Sequence, residues 1–132
     1  AALAMQDKHW SWFEEEVNRH YLKFTEKRNV NIHIGTWNVN AKEPKDKIES
    51  WLIDSEGKFE ADIYVLGFQE IVDLNAANLW IDNTANEPWE RMIEGVLKTS
   101  IPSSEYVQIE SRHLVGILMC IYVKKSLRPY IK

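Results

Sequence analysis

The feature that most limits what this chain can fold into is the run Asp62-Ile63-Tyr64-Val65-Leu66-Gly67-Phe68, which carries no polar side chain after the aspartate. The run is too short for a buried helix and lacks the alternation of a half-exposed strand, so it predicts a central strand covered on both faces. Gln69 and Glu70 follow at once, setting two polar side chains at the rim of a buried element. Such a strand cannot stand alone, and the neighbouring segments must supply the layers that cover it.

The segment upstream changes period. Val30, Ile32 and Ile34 alternate with Asn31 and His33, which predicts a strand that buries its aliphatic face and turns His33 to solvent. It runs into Gly35-Thr36-Trp37-Asn38-Val39-Asn40. Pro44 suits the first turn of a helix reaching Ile48, Trp51 and Leu52, with Gly57 at its exit. A second helix over 88–98 would bury Trp89, Met92, Ile93, Val96 and Leu97. Residues 106–110 and 114–125 read as two strands joined at Ser111-Arg112-His113. Near the start, Trp10, Phe13, Val17, Tyr21 and Phe24 recur at spacings of three and four, the mark of a one-striped helix over 7–27.

This order implies an α+β or α/β layered fold, with a connector helix over 1–29 and one domain over 30–132. The last strand is followed by Pro129 and no closing helix, so one sheet edge is expected to be bare and the domain to be cut short. A chain of 132 residues, 45% hydrophobic and 27% charged, is ordinary globular material. Its longest uncharged apolar stretch, 114–123, is half the roughly 20 residues a membrane helix needs. The single cysteine, Cys120, excludes an internal disulfide framework and fits a reducing, cytoplasmic compartment. Charge is segregated: residues 54–94 carry ten acids against Lys58 and Arg91, whereas beyond Glu110 there are five bases and no acid. That asymmetry could set a basic end against an anionic partner.

Spacing removes several chemistries. The five glycines are too scattered for a P-loop or a dinucleotide cradle. Cys120 sits inside an apolar strand, where a thiol stays protonated and inert. His9, His20, His33 and His113 have no partner at zinc-ligand spacing. What remains are Asn38 and Glu70, each directly after a buried strand and held there by a rigid scaffold. A carboxylate so placed is a hard oxygen ligand suited to magnesium, and a neighbouring amide can donate to a phosphate oxygen. Spacing alone leaves open that Asn38 is a turn former and Glu70 a helix N-terminal acid.

Gly35-Thr36-Trp37-Asn38-Val39-Asn40, the stretch 62–80 from DIYVLGFQE through VDLNAANLW, and 113–132 together resemble the N-terminal half of an inositol polyphosphate 5-phosphatase catalytic domain, most nearly the synaptojanin type. The resemblance covers about 30–132 and places the chain in the endonuclease, exonuclease and phosphatase superfamily. It implies part of a four-layer αββα sandwich of the DNase I-like kind. It implies that Glu70 binds Mg2+ and that Asn38 lines the phosphate site and supports the metal. His113 and Lys124 become candidate contacts to an anionic headgroup.

The implied reaction is magnesium-dependent removal of a 5-phosphate from phosphoinositides such as phosphatidylinositol 4,5-bisphosphate, or from soluble inositol polyphosphates. The implied setting is cytoplasmic and peripheral at membranes, with an inositol phosphate or phosphoinositide headgroup as partner and no nucleic acid. The family's catalytic His and Asp motifs belong to a second half that nothing after Val123 supplies, so the 132-residue chain alone is expected to be inactive. Two other readings compete: a magnesium-dependent nuclease of the same superfamily, and a noncatalytic module docking through the helix over 7–27.

Overall fold

A computed structural model describes residues 2–45, 48–53, 60–73 and 85–132, with backbone alone for 2–10 and Leu22. The elements are α1 (Ala2–Phe24), β1 (Ile32–Asn38), α2 (Glu49–Leu52), β2 (Ile63–Gln69), α3 (Asn86–Ser100), β3 (Tyr106–Leu114) and β4 (Ile117–Lys124), followed by a 3-10 turn at Arg128–Tyr130. Among the described residues the strands form one sheet in the order β1-β2-β4-β3. β1 and β2 are parallel, and the other two pairings are antiparallel.

The apolar run predicted as a central strand is β2, hydrogen-bonded on both sides. Tyr64, Leu66 and Phe68 point to one face together with Leu118, Cys120 and Tyr122 of β4. That face is covered by Trp89, Ile93, Val96 and Leu97 of α3, and by Ile48 and Leu52 at α2. Each such side chain contributes on the order of 1.5–3 kcal/mol by leaving water. Aromatic rings knit the layer: Trp89 stands 4.9 Å from Phe68 and 6.0 Å from Trp37, and Trp51 stands 5.6 Å from Phe68. Burial pushes the Cys120 thiol up to about 12, so it is the inert core group expected.

Four expectations are corrected. The first concerns the buried face of β1. Its register pairs His33 with Tyr64, Gly35 with Leu66 and Trp37 with Phe68, so those residues join the helix-covered face. Ile32 and Ile34 point the other way, and Ile34 is 76% exposed. Both faces of β1 carry large side chains, so alternation alone could not tell which one the helices cover. His33, expected in solvent, is partly buried with its ring 5.3 Å from Tyr64 and 6.2 Å from Trp51.

The second correction is to β2, whose other face (Ile63, Val65, Gly67 and Gln69) is only half-covered by the described residues. Third, the β3–β4 turn is the two-residue loop Val115–Gly116, not Ser111-Arg112-His113, which lies within β3 after a bulge between Gln108 and Glu110. Val115 takes a φ of 50°, which β-branched residues rarely adopt, and this hid the turn. Fourth, the helix expected from Pro44 is reduced to Glu49–Leu52, and Pro44 sits in a bend. The expected exit at Gly57 lies outside the described residues.

α3 matches its periodicity and extends two residues at each end, over Asn86–Ser100. Glu90 fixes it to β3 by accepting hydrogen bonds from Ser111 Oγ and Gln108 Nε2. α1 begins and ends earlier than the stripe suggested, and its last turn closes where the Thr25 N–H and hydroxyl both donate to the Tyr21 carbonyl. Phe13, Tyr21 and Phe24 of the stripe are exposed. Among the described residues no helix is long and apolar enough to cross a membrane.

Gly35 is required by contact rather than by a turn. A Cβ there would lie 2.4 Å from Trp51 Cζ2, inside the indole that packs on the β1 backbone. Gly35→Ala is expected to lower stability by about 1–3 kcal/mol through forced displacement of that ring, read from the midpoint of urea unfolding. Burial also holds the His33 pKa below its ordinary value. The unfolded chain therefore binds the proton more readily, and stability should fall as pH drops below about 6.5 towards the lower folded value. Thermal melts between pH 7.5 and 5 should show this slope, and His33→Gln should flatten it.

Candidate active site

Because β1 and β2 are parallel and in register, they end together, with Asn38 opposite Gln69. The ladder continues one step further, where the Val39 N–H donates to the Gln69 carbonyl at 2.9 Å. The two chains then turn toward each other. Glu70 has φ 54°, Asn40 φ 49° and Ala41 φ 54°, three non-glycine residues in the left-handed region. Each such residue costs on the order of 1 kcal/mol. The Ala41 N–H donating to the Glu70 carbonyl at 2.7 Å holds the arrangement.

This backbone brings the two predicted side chains into contact. Asn38 Nδ2 donates to Glu70 Oε1 at 2.8 Å, and Asn38 Oδ1 accepts the Asn40 N–H at 3.0 Å. The second contact fixes which end of the amide faces the carboxylate, since the Asn40 N–H can only donate. One residue before Glu70, Gln69 Nε2 donates to Thr36 Oγ1 at 2.8 Å. One residue after it, the Ile71 N–H donates to the Gly116 carbonyl at 3.0 Å, tying the β3–β4 turn to the same end of the sheet. A cavity of about 130 Å3 opens beside Asn38, walled by Trp37, Trp89 and Met92 and edged by Lys42 and Lys45.

The donor set has the character magnesium requires. Glu70 is half-buried at the sheet edge, and its one side-chain hydrogen bond among the described residues uses only part of one oxygen. Magnesium takes one or two carboxylates and completes its shell with water and phosphate oxygens. Asn38 Nδ2 faces the carboxylate, and its Oδ1 accepts one hydrogen bond from Asn40. Its Nδ2 holds the Glu70 carboxylate, and the single hydrogen bond to Oδ1 leaves that oxygen a second lone pair. Among the described residues no group of three or more His, Cys, Asp or Glu could hold a metal.

The other two predicted residues are not brought to this pair. His113 is exposed on β3 opposite Leu118, at the same end of the sheet but with β4 between it and β2. Lys124 is at the far end of β4, beside the start of β2, roughly 25 Å away along the strand. There it pairs with Glu60 and Asp62, each at 2.9 Å. Burial pulls its pKa down, and the two carboxylates more than reverse this, holding it above its ordinary value. β4, antiparallel to β2, thus carries Lys124 to the end of the sheet away from Glu70. Conversely, Asn40 and Thr36 were not singled out. The signal for Thr36 was its place two residues before Asn38, which puts both on one face.

Residues 35–132 match the family described as Endonuclease/Exonuclease/phosphatase family 2. The chain belongs to that family. It is 33% identical to inositol-1,4,5-trisphosphate 5-phosphatase 1 of Schizosaccharomyces pombe over 98% of its own length and 12% of that protein. It is 32% identical to the type II inositol 1,4,5-trisphosphate 5-phosphatase of Mus musculus over 89% of its length and 11% of that protein. Among solved structures it superposes on the inositol polyphosphate 5-phosphatase domain of SPsynaptojanin, determined with inositol (1,4)-bisphosphate and calcium ion. The TM-score is 0.75 at 34% identity, covering 90% of this chain and 34% of that one. The α+β sheet is therefore part of a DNase I-like sandwich, and the chain spans about a third of the matching solved domain. The segment VDLNAANL, which carried the synaptojanin likeness, lies from residue 74 onward outside the described residues.

Separating the two ends of the sheet gives a test. Lys124→Ala leaves Glu60 and Asp62 facing each other without a cation, and should lower stability by about 1–2 kcal/mol. It should leave the Asn38–Glu70 end of the sheet undisturbed, as read by denaturant unfolding alongside the NMR chemical shifts of those two residues.

Proposed function

We propose that this chain is the part of an inositol polyphosphate 5-phosphatase that carries the magnesium-binding glutamate. The observation that supports this most directly is the 2.8 Å contact of Asn38 with Glu70 at the common end of two parallel strands, in a chain whose relatives bear 5-phosphatase names. In this reading Glu70 binds Mg2+ through its carboxylate, Asn38 aims that carboxylate, and the Asn40 N–H keeps the Asn38 amide from turning over. A bound magnesium ion supplies neutralisation of the charge that spreads over the phosphoryl oxygens as the 5-phosphate ester is hydrolysed. The substrate is an inositol phosphate, free or as a phosphoinositide headgroup, met in the cytoplasm or at the membrane surface.

The groups that orient the attacking water belong, in this proposal, to the remainder of the domain. Its second sheet would pack on the apolar face of Ile32, Ile34, Val65, Ile117 and Met119, which the described residues leave partly or largely exposed. The 132-residue chain alone is accordingly inactive. Glu70→Gln in the full-length protein keeps the size and the left-handed backbone of the residue but removes its charge. Magnesium-dependent phosphate release from inositol 1,4,5-trisphosphate should fall at least 100-fold, with the melting temperature unmoved. Undiminished turnover by this variant would overturn the assignment.

A further inference from the structure

We infer that Thr36 and Gln69 form a positioning clamp that sets the magnesium affinity of Glu70. The inference rests on the reading of Glu70 as the metal-binding carboxylate, and goes beyond it by assigning a role to two residues that touch neither metal nor substrate.

Glu70 sits in a backbone conformation that a glutamate disfavours, with φ 54°. Something must hold the residue before it, or the end of β2 would relax and carry the carboxylate away from Asn38. The ladder holds the carbonyl side, through the Val39 and Ala41 N–H groups. Thr36 holds the side-chain side: Gln69 Nε2 reaches back across the sheet to Thr36 Oγ1 at 2.8 Å. Thr36 is two residues before Asn38 and Gln69 is directly opposite Asn38, so this bond joins the two strand ends that carry the Asn38–Glu70 pair.

The sheet is shaped for this crossing. Gly67 is the register partner of Thr36 and lies on the same face as Gln69. A Cβ built on Gly67 would stand 3.9 Å from both Gln69 Nε2 and Thr36 Oγ1. The absence of a side chain there thus provides the gap through which the glutamine amide passes. A methyl fits that gap at ordinary contact distance, and a branched side chain would extend atoms beyond it. The Gly67 backbone needs no positive φ.

The test uses the full-length protein with magnesium chloride as the probe, read by titration calorimetry and by the magnesium dependence of phosphate release. Thr36→Val removes the hydroxyl and keeps the shape. It should raise the magnesium Kd about tenfold, the lower end for loss of a group that orients a metal ligand. Because the lesion acts through the metal, kcat should recover at saturating magnesium while KM for the inositol phosphate stays unchanged. Thr36→Ser should restore wild-type affinity. Gly67→Val should mimic Thr36→Val, and Gly67→Ala should not. Gln69→Met is the second variant, should Thr36→Val fail to fold. Wild-type magnesium affinity in folded Thr36→Val and Gln69→Met would overturn the clamp. If Glu70→Gln loses magnesium while those two keep it, the clamp alone fails. If Glu70→Gln itself binds magnesium normally, the underlying assignment fails instead.

Discussion

The in-register parallel pairing of β1 with β2 is the constraint on which the site depends. Neighbouring parallel strands point their C-terminal ends the same way, so side chains that follow them are delivered to one edge. Here the register makes this exact to the residue, with Asn38 facing Gln69 and Glu70 one step beyond. Two positions 32 residues apart in sequence thereby come within hydrogen-bond distance. The pairing is held from below by the aromatic layer of Trp37, Trp51, Phe68 and Trp89, whose rings lie between the strands and the helices. A core that resists compression transmits that rigidity to the edge.

At the edge the chain accepts strain. Asn40, Ala41 and Glu70 all adopt left-handed backbone, and glycine at any of them would be more comfortable. Glycine at Glu70 would however remove the carboxylate, and glycine at Asn40 or Ala41 would loosen the turn that directs N–H groups at Asn38 and Glu70. The cost is on the order of 1 kcal/mol per residue. It is offset locally by two backbone hydrogen bonds and by the orientation of the Asn38 amide. The turned backbone brings the Glu70 carboxylate to Asn38, and the hydrogen bond between them is what restrains its rotamer.

How much of this was legible in the sequence follows from which physical signal each residue carried. β2 was readable because a continuous apolar run is its own evidence, and α3 because Trp89, Ile93, Val96 and Leu97 keep one helical stripe. Asn38 and Glu70 were readable as strand-end polar groups, and a resemblance of three motifs turned them from two isolated residues into one site. The covered face of β1 was not readable, since Ile32 and Ile34 are as apolar as the residues the helices cover. Alternation reports that a strand has two faces and says nothing about which neighbour meets which. The β3–β4 turn was hidden for a different reason: Val115 occupies a conformation its branched side chain opposes, so turn chemistry pointed elsewhere. Thr36 and Gly67 escaped because their role exists only once Gln69 folds back across the sheet.

The charge segregation along the chain also changes meaning in three dimensions. Read linearly, an acidic middle and a basic end suggest a surface that attracts an anionic partner. The antiparallel pairing of β4 with β2 instead brings the basic end back against the acids that precede β2, and Lys124 meets Glu60 and Asp62. Lys125 is likewise taken up by Glu105 at 2.8 Å, and Arg112 by Glu110 at 3.1 Å. Ser104 adds a hydroxyl to Glu60, and with the lysine it holds that carboxyl below its ordinary value despite partial burial. The pairs made by Lys124 and Lys125 therefore close the end of the sheet remote from Glu70, whereas Arg112 and Glu110 pair with each other on β3, nearer the Glu70 end. Among the described residues, the basic side chains lining the cavity beside Asn38 are Lys42 and Lys45, on the loop that follows β1. Lys45 is itself within 3.4 Å of Glu43. In the proposed function, selectivity for an anionic ligand at this edge would come from placed donors and from a cation held by Glu70, because Lys124 and Lys125 are paired at the other end.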